Sequence, residues 1–268
     1  MCLIIPCAVL FTACSFPDIK LPNINWKFWE KQTQSNNQGD DDFVSVSFAL
    51  DSWETISKIS ALIAAGEDNI WYEVGDEKDI ELSTEETITV LILGFNHDDL
   101  SDGIGKAGIS IGMKDLLTSA YNMNTTATNI GGWDESNLRG ILNTTIFATL
   151  PNELQSVIKA VDKKTSAGNQ GNTLLTSEDK LWLYSFQEIF AQAVTVLAGE
   201  GAQYEYWKTR ETSADRIKYP SGSKTASNWW LRSPSSSSAV NFRGIDNGGY
   251  TTNYGAQNTA GVCFGFCV

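Results

Sequence analysis

The stretch Asn228-Trp229-Trp230-Leu231-Arg232-Ser233-Pro234, with the residues from Ser235 to Val268 behind it, decides how this chain is read. Three apolar side chains in a row, two of them tryptophan, predict a buried strand at 229–231. Ala239 to Arg243 predicts the next strand, Asp246-Asn247-Gly248-Gly249 a turn, Tyr250 to Tyr254 a third strand and Val262 to Val268 a closing one. Between those apolar flanks, 18 of the 26 residues from Ser235 to Ala260 are Ser, Thr, Asn, Gln, Tyr or Gly, with no Lys, one Arg and one Asp. Tyrosine offers large contact area at small entropic cost, and Ser, Asn and Gly adapt their hydrogen bonding, which is the palette of antibody binding loops. A plain polar hairpin has the same composition. The apolar segments on both sides favour a rigid core clamping a polar display surface.

Working outward, helices fall in the middle of the chain and strands at its two ends, an α+β layout in which the terminal strands are expected to pair. Phe43, Val44, Val46 and Phe48 suggest a first strand. Asp51 with Glu54 reads as a capping box before a helix carrying Ile56, Ile59 and Ile63 and ending near Gly66. Ile70 to Val74 and Thr87 to Phe95 read as β-rich. Residues 133 to 161 read as two helices, one capped by Asp134 with Leu138, Ile141 and Leu142 inward, one started by Pro151 with Leu154, Val157, Ile158 and Val161 on a face. A Gly, Asn and Thr-rich loop follows at 165–176, then a short strand at Leu181 to Tyr184 and a helix capped by Ser185 and Glu188.

The N-terminal 13 residues are almost entirely apolar, too few for a bilayer span, which needs about 20. The length fits the apolar region of a secretory signal, and Phe11-Thr12-Ala13-Cys14 resembles a bacterial lipoprotein cleavage box, with Cys14 the residue that becomes lipid-modified. The resemblance implies residues 1–14 as a signal peptide, a protein held at the membrane by a lipid on Cys14, and a cell-envelope, surface-exposed location. Residues 15–42, with Pro17, Pro22 and a polar run ending in three aspartates, then form a tether. Its Trp26, Phe28 and Trp29 suit either the membrane interface or docking on the domain. Residues 43–95 form an N-terminal β-rich part and 96–268 the remainder of the domain.

A net charge of −13 without a dense basic cluster argues against nucleic-acid binding. A single histidine, His97, excludes sites that need two imidazoles. The segment Gly94 to Gly103, with His97, Asp98, Asp99 and Asp102, is the best candidate for Ca²⁺ or acid–base work. Its spacing does not match an EF-hand, and a hydrogen-bonded turn after a buried strand explains it better. No Gly-x-Ser-x-Gly elbow accompanies His97, and Gly103-Ile104-Gly105-Lys106 lacks Walker spacing. Glu73, Asp76, Glu85 and Glu86 lie in polar stretches where solvated charge is the default. Cys263 and Cys267 on one extended strand stand roughly 13 Å apart, at about 3.3 Å per residue. A disulfide needs Cα atoms within about 7 Å, so the two are not expected to pair.

Several motifs together resemble a large, mostly uncharacterised bacterial and phage domain family: Trp229 to Pro234; Trp133-Asp134-Glu135-Ser136-Asn137-Leu138-Arg139 with Leu142-Asn143; the block Asp179 to Phe190; and Val74 to Lys78 with Gly94 to Asp98. With its polar stretch before Gly261 to Val268, the chain is similar to the variable proteins of diversity-generating retroelements. That resemblance implies a C-type-lectin-like domain with a mixed sheet, two or more helices and a C-terminal β-hairpin at 235–260, related to the formylglycine-generating enzyme fold. It implies a surface-anchored receptor or adhesin-like protein whose partner is an unknown protein or glycan at a cell surface. The ligand-contacting residues would be Ser236, Ser238, Asn241, Arg243, Asp246, Asn247, Tyr250, Thr252, Asn253, Tyr254, Gln257 and Asn258, with Trp229, Trp230 and Arg232 structural. No catalytic residue, metal or cofactor is expected. The alternatives are a phage or prophage structural module without a diversified site, and a relative of the formylglycine-generating oxidases using Cys263 and Cys267. Buried cysteine as a small apolar residue is the better reading of that pair.

Overall fold

Ser52 starts the first helix. Its hydroxyl accepts the Thr55 amide, and α1 (Trp53–Ala64) then buries Trp53, Ile56, Ile59 and Ile63 along one face. The cap lies one residue beyond the expected Asp51 because Asp51 is engaged elsewhere. Its carboxylate accepts the Tyr72 hydroxyl at 2.7 Å, the Ser45 hydroxyl at 2.7 Å and the Val46 amide at 2.8 Å. The computed structural model describes residues 45–268. The expected signal peptide, Cys14, the tether with Trp26, Phe28 and Trp29, and the residues Phe43 and Val44 lie outside the described residues. The rest of the strand expected at 43–48 is irregular chain leading into a turn. There Phe48 drops into the core, edge-on to Trp53 and Tyr72. No helix among the described residues is long and apolar enough to cross a membrane.

The main sheet has five strands in the order β1-β2-β3-β12-β7, where β1 is Glu77–Glu81, β2 Thr87–Phe95, β3 Ile109–Met113, β7 Trp182–Leu183 and β12 Phe264–Cys267. Strand β2 matches the expected Thr87 to Phe95, and its apolar run from Val90 to Gly94 is buried on both faces. The β-rich reading of Ile70 to Val74 fails; the strand in that region is the charged β1, which lies at the sheet edge. Every strand pair in this sheet is antiparallel, so the mixed sheet expected from the resemblance is not found. The expected pairing of strands from the two ends of the chain is found, since C-terminal β12 pairs with β3 of the N-terminal block. β12 inserts between β3 and β7, and only Gly fits at position 265, where a Cβ would lie 2.2 Å from the Trp182 ring.

Between these strands, α2 (Asn137–Ile141) is capped by Ser136 rather than Asp134, which pairs with Arg139 instead. The helix runs on through a π turn at Leu142–Ile146 and a 3₁₀ turn at Phe147–Thr149. Pro151 precedes α3 (Asn152–Val157) as expected. Val161 belongs to no helix. It opens β5 (Val161–Ser166), which pairs with β6 (Leu174–Asp179), so the stretch 165–176, expected as a loop, is the end of a hairpin whose connection is 167–173. The Ser185–Glu188 capping box forms and starts α4 (Phe186–Phe190), and α5 (Glu205–Lys208) follows. The chain is thus a mixed α+β fold built on antiparallel sheets. A three-stranded ribbon, β8 (Trp229–Pro234), β9 (Asn241–Ile245) and β10 (Thr251–Gly255), stands beside the main sheet in the order β10-β9-β8.

Candidate functional site

Strand β8 is buried from Trp229 to Pro234. The indole N–H groups of Trp229 and Trp230 donate to the Arg216 and Tyr121 carbonyls, at 3.1 and 2.8 Å. Arg232, fully enclosed, forks onto Glu188, with Nη1 2.5 Å from Oε2 and Nη2 2.8 Å from Oε1. The same guanidinium donates to the Leu183 and Glu200 carbonyls and to the Thr165 hydroxyl. Ser233 accepts the Phe186 amide and donates to the Glu200 carboxylate. Every side chain of the Trp-Leu-Arg-Ser-Pro run is therefore anchored inward, and the run positions what comes after it.

What comes after it turns progressively outward. In β9 only Asn241 is partly exposed; Phe242, Arg243, Gly244 and Ile245 are buried. The turn closes on Asp246, whose Oδ1 accepts the Gly248 and Tyr250 amides at 2.9 Å. Gly249 lies at φ +80°, and a Cβ there would sit 1.8 Å from the Ser213 carbonyl oxygen. Strand β10 is the outer edge of the ribbon. Thr251 and Asn253 are exposed, while Thr252 and Tyr254 are half-buried, Tyr254 standing edge-on to Trp230 at 5.8 Å.

Of the twelve expected contact residues, Ser236, Asn247, Tyr250, Asn253, Gln257 and Asn258 are exposed, Tyr250 by 63%. Ser238, Asn241, Asp246, Thr252 and Tyr254 are half-buried. Arg243 departs from the expectation. It is buried, its Nη1 donates to Asn253 Oδ1 at 2.6 Å, and its guanidinium lies over the Phe186 ring at 5.3 Å, so it props the ribbon from beneath. Asn241 and Asn258 converge at Gly255, where both side chains lie within 4 Å of the position a Cβ would take.

Beneath β8 lies a second assembly of polar groups that composition alone does not single out. Lys163 on β5 donates to Asp98, to Glu188 Oε1 at 3.1 Å and to the Tyr204 hydroxyl at 2.8 Å. Asp98 also accepts the Ser110 hydroxyl at 2.6 Å. Burial alone would raise the Asp98 carboxyl, but the Lys163 ammonium and His97 outweigh it and hold the group well below the usual carboxylate range. Glu188 behaves alike: burial raises it, and Arg232 with Lys163 brings it below its ordinary value. Glu200 goes the other way. Its burial pushes the carboxyl up to about 7, against the opposing pull of the Ser166 amide and the Ser233 hydroxyl. A cleft of about 300 Å³ opens onto these groups beside His97 and Lys106.

The remaining expected sites resolve into structure. His97 stacks on Tyr204 at 4.0 Å, and burial lowers its pKa. Lys106 pairs with Asp99 and donates to the His97 carbonyl, closing the turn of the Gly94–Gly103 segment. No cluster of three or more His, Cys, Asp or Glu arranged for a metal ion occurs among the described residues. Cys263 and Cys267 are free and buried, with burial pushing both thiols up.

Fold and site together define a mixed α+β domain that clamps a polar β-ribbon onto a charged interior. The chain belongs to the family DUF6273, a domain of unknown function, whose model matches residues 110–268. No curated protein and no solved structure matches it.

Proposed function

We propose that this chain is a ligand-binding protein of the cell envelope, resembling the variable proteins of diversity-generating retroelements, that displays the ribbon 235–260 to a protein or glycan partner. One observation carries the reading: the contrast between β8, buried at every residue, and the run Asn247, Tyr250, Gln257 and Asn258, exposed at every residue. Side chains of that second set can be exchanged without disturbing the interior, which a diversified surface requires. Half-buried Tyr254 and buried Arg243 supply a stiff underside, so the exposed groups are presented at little entropic cost. A C-type-lectin-like architecture accommodates this arrangement. Lipidation at Cys14 would place the domain at the outer face of a membrane. The inward, raised-pKa state of Cys263 and Cys267 supports the buried-apolar reading of that pair over thiol chemistry.

The test uses the full chain on a glycan array and on intact bacterial cells, beside a variant carrying Asn247→Ala, Tyr250→Ala, Gln257→Ala and Asn258→Ala. Binding that disappears in the variant while the melting temperature is retained supports the reading; undiminished binding, or collapse of the fold, overturns it. In the genome, an adenine-rich imperfect copy of codons 229 to 268 lying downstream would identify the diversification itself.

A further inference from the structure

We propose that Lys163 and Asp98 condense into an intramolecular amide, joining Lys163 Nζ to Asp98 Cγ, with Glu188 as the proton carrier. The three groups come from separate elements, Asp98 from the turn after β2, Lys163 from β5 and Glu188 from α4, and none exceeds 5% exposure. The shortest contact of the ammonium is to Asp98 Oδ1, and Glu188 Oε1 lies 3.1 Å from the same nitrogen. The walls are aromatic: Nζ sits 3.7 Å from the Trp182 ring centroid, and Tyr204 stacks on Trp182 at 5.6 Å.

Such a setting changes the chemistry of an ordinary ion pair. The Lys163 ammonium holds Asp98 ionised in spite of burial, so the neutral amine that attack requires arises by proton transfer to Glu188 Oε1, 3.1 Å from the same nitrogen. Holding nucleophile and carbonyl carbon together replaces a bimolecular condensation with an intramolecular one. The second Asp98 oxygen, Oδ2, already accepts the Ser110 hydroxyl at 2.6 Å and lies 2.9 Å from the Tyr204 hydroxyl. Those donors stand where negative charge gathers in a tetrahedral intermediate. Arg232 forks onto Glu188 and keeps it ionised, ready to take a proton.

The balance is simple. Glu188 takes one ammonium proton, and the freed lone pair on Nζ attacks Asp98 Cγ. A second nitrogen proton and the one held by Glu188 then pass to Oδ1. The Cγ–Oδ1 bond breaks, one water leaves toward the adjoining cleft, and Glu188 regains its charge. An ammonium and a carboxylate become one amide and one water, and no oxidant, reductant or activated donor is consumed.

The experiment is a peptide map of the full chain, expressed in a bacterium, purified folded, then denatured and digested with trypsin. The expected result is a joined pair of peptides, one containing Asp98 and the other Lys163, whose mass falls short of their sum by one water. Fragmentation should place the link at those two residues. Recovery of the two peptides only as separate linear species from the folded wild-type chain overturns the proposal, and this arm requires no variant to fold. Lys163→Arg should yield only linear peptides. Glu188→Gln, if circular dichroism shows it folded, should form the link to less than a tenth of the wild-type extent. Linkage equal to wild type would remove Glu188 from the role of proton carrier.

Discussion

Strands β8 and β10 are two places apart in the same ribbon, yet they hold opposite relations to water. β8 buries two tryptophans, an arginine and a serine against fixed partners, whereas β10 alternates exposed Thr251 and Asn253 with half-buried Thr252 and Tyr254 at the ribbon's edge. Strand β9 separates them, pairing with β8 through Trp229↔Ile245 and with β10 through Asn253↔Arg243. The stability of the ribbon is thus concentrated on one side and its freedom to vary on the other. A binding surface can tolerate changing residues only when the positions that change are not those that hold it.

The largest effect should come from breaking the buried side. Arg232→Ala strips Glu188 of its forked partner and leaves the Leu183 and Glu200 carbonyls short of a donor. A loss of about 3–5 kcal/mol is expected from removing one partner of a buried pair, read as a shift in the urea midpoint. A loss below about 1 kcal/mol, the range of exposed ion pairs, would show that the strand is not the anchor.

Next in size is a pH effect at Glu200. Its folded pKa near 7 lies above the ordinary value of 4.5. The protonated carboxyl therefore favours the fold below pH 4.5, and that contribution is lost as pH rises through 7. The full swing is roughly 3 kcal/mol for such a shift. His97, with its pKa lowered from 6.5, acts in the opposite sense below about that pH, so the measurement is a difference. Between pH 5 and 8, wild type should lose stability relative to Glu200→Gln, and parallel curves would refute the assignment.

At the ribbon's turn, Gly249→Ala should cost about 1–3 kcal/mol from the left-handed backbone, and the clash with the Ser213 carbonyl adds to it. The neighbouring Gly248→Ala is the control. Its φ is ordinary, and the nearest atoms to its Cβ would be side-chain atoms of Tyr250 and Asp246, at 3.2 and 3.3 Å, so the cost should be markedly smaller. Equal melting temperatures for the two variants would contradict this turn geometry.

The smallest effect belongs to the outer edge. Asn247→Ala, Tyr250→Ala, Gln257→Ala and Asn258→Ala should each fall within about 0.5 kcal/mol of wild type. Asn253→Ala should cost more, about 1 kcal/mol, because it removes the partner of Arg243 Nη1 while Arg243 Nε already lacks one. If Asn253→Ala proved as mild as the others, Arg243 would not be a prop.

Much of this architecture is legible in the sequence where pattern and environment agree. The run Thr87 to Phe95, the Ser185–Glu188 box and the turn at Asp246 to Gly249 all carry local signals that tertiary packing respects. The failures share a cause: polar residues facing inward. Lys163 and Ser177 are buried, so β5 and β6 show no apolar face and their tip reads as a loop. Asp51 looks like a cap until Tyr72, distant in sequence, claims its carboxylate. On the ribbon, residue type separates polar from apolar positions but does not separate buried Arg243 from exposed Asn253. The charged interior joins Asp98, Lys163, Glu188, Glu200 and Arg232, which no local spacing connects. The one hint was Arg232 standing inside a run of apolar neighbours.

The placement of β12 between β3 and β7 has a bearing on biogenesis. A nascent chain that has emerged only to residue 260 holds both flanking strands but nothing to zip them together, and Trp182 has no glycine to lie against. The central layer therefore closes only when Phe264–Cys267 joins strands laid down long before it. Truncation upstream of Phe264 should leave a substrate for proteases rather than a smaller domain.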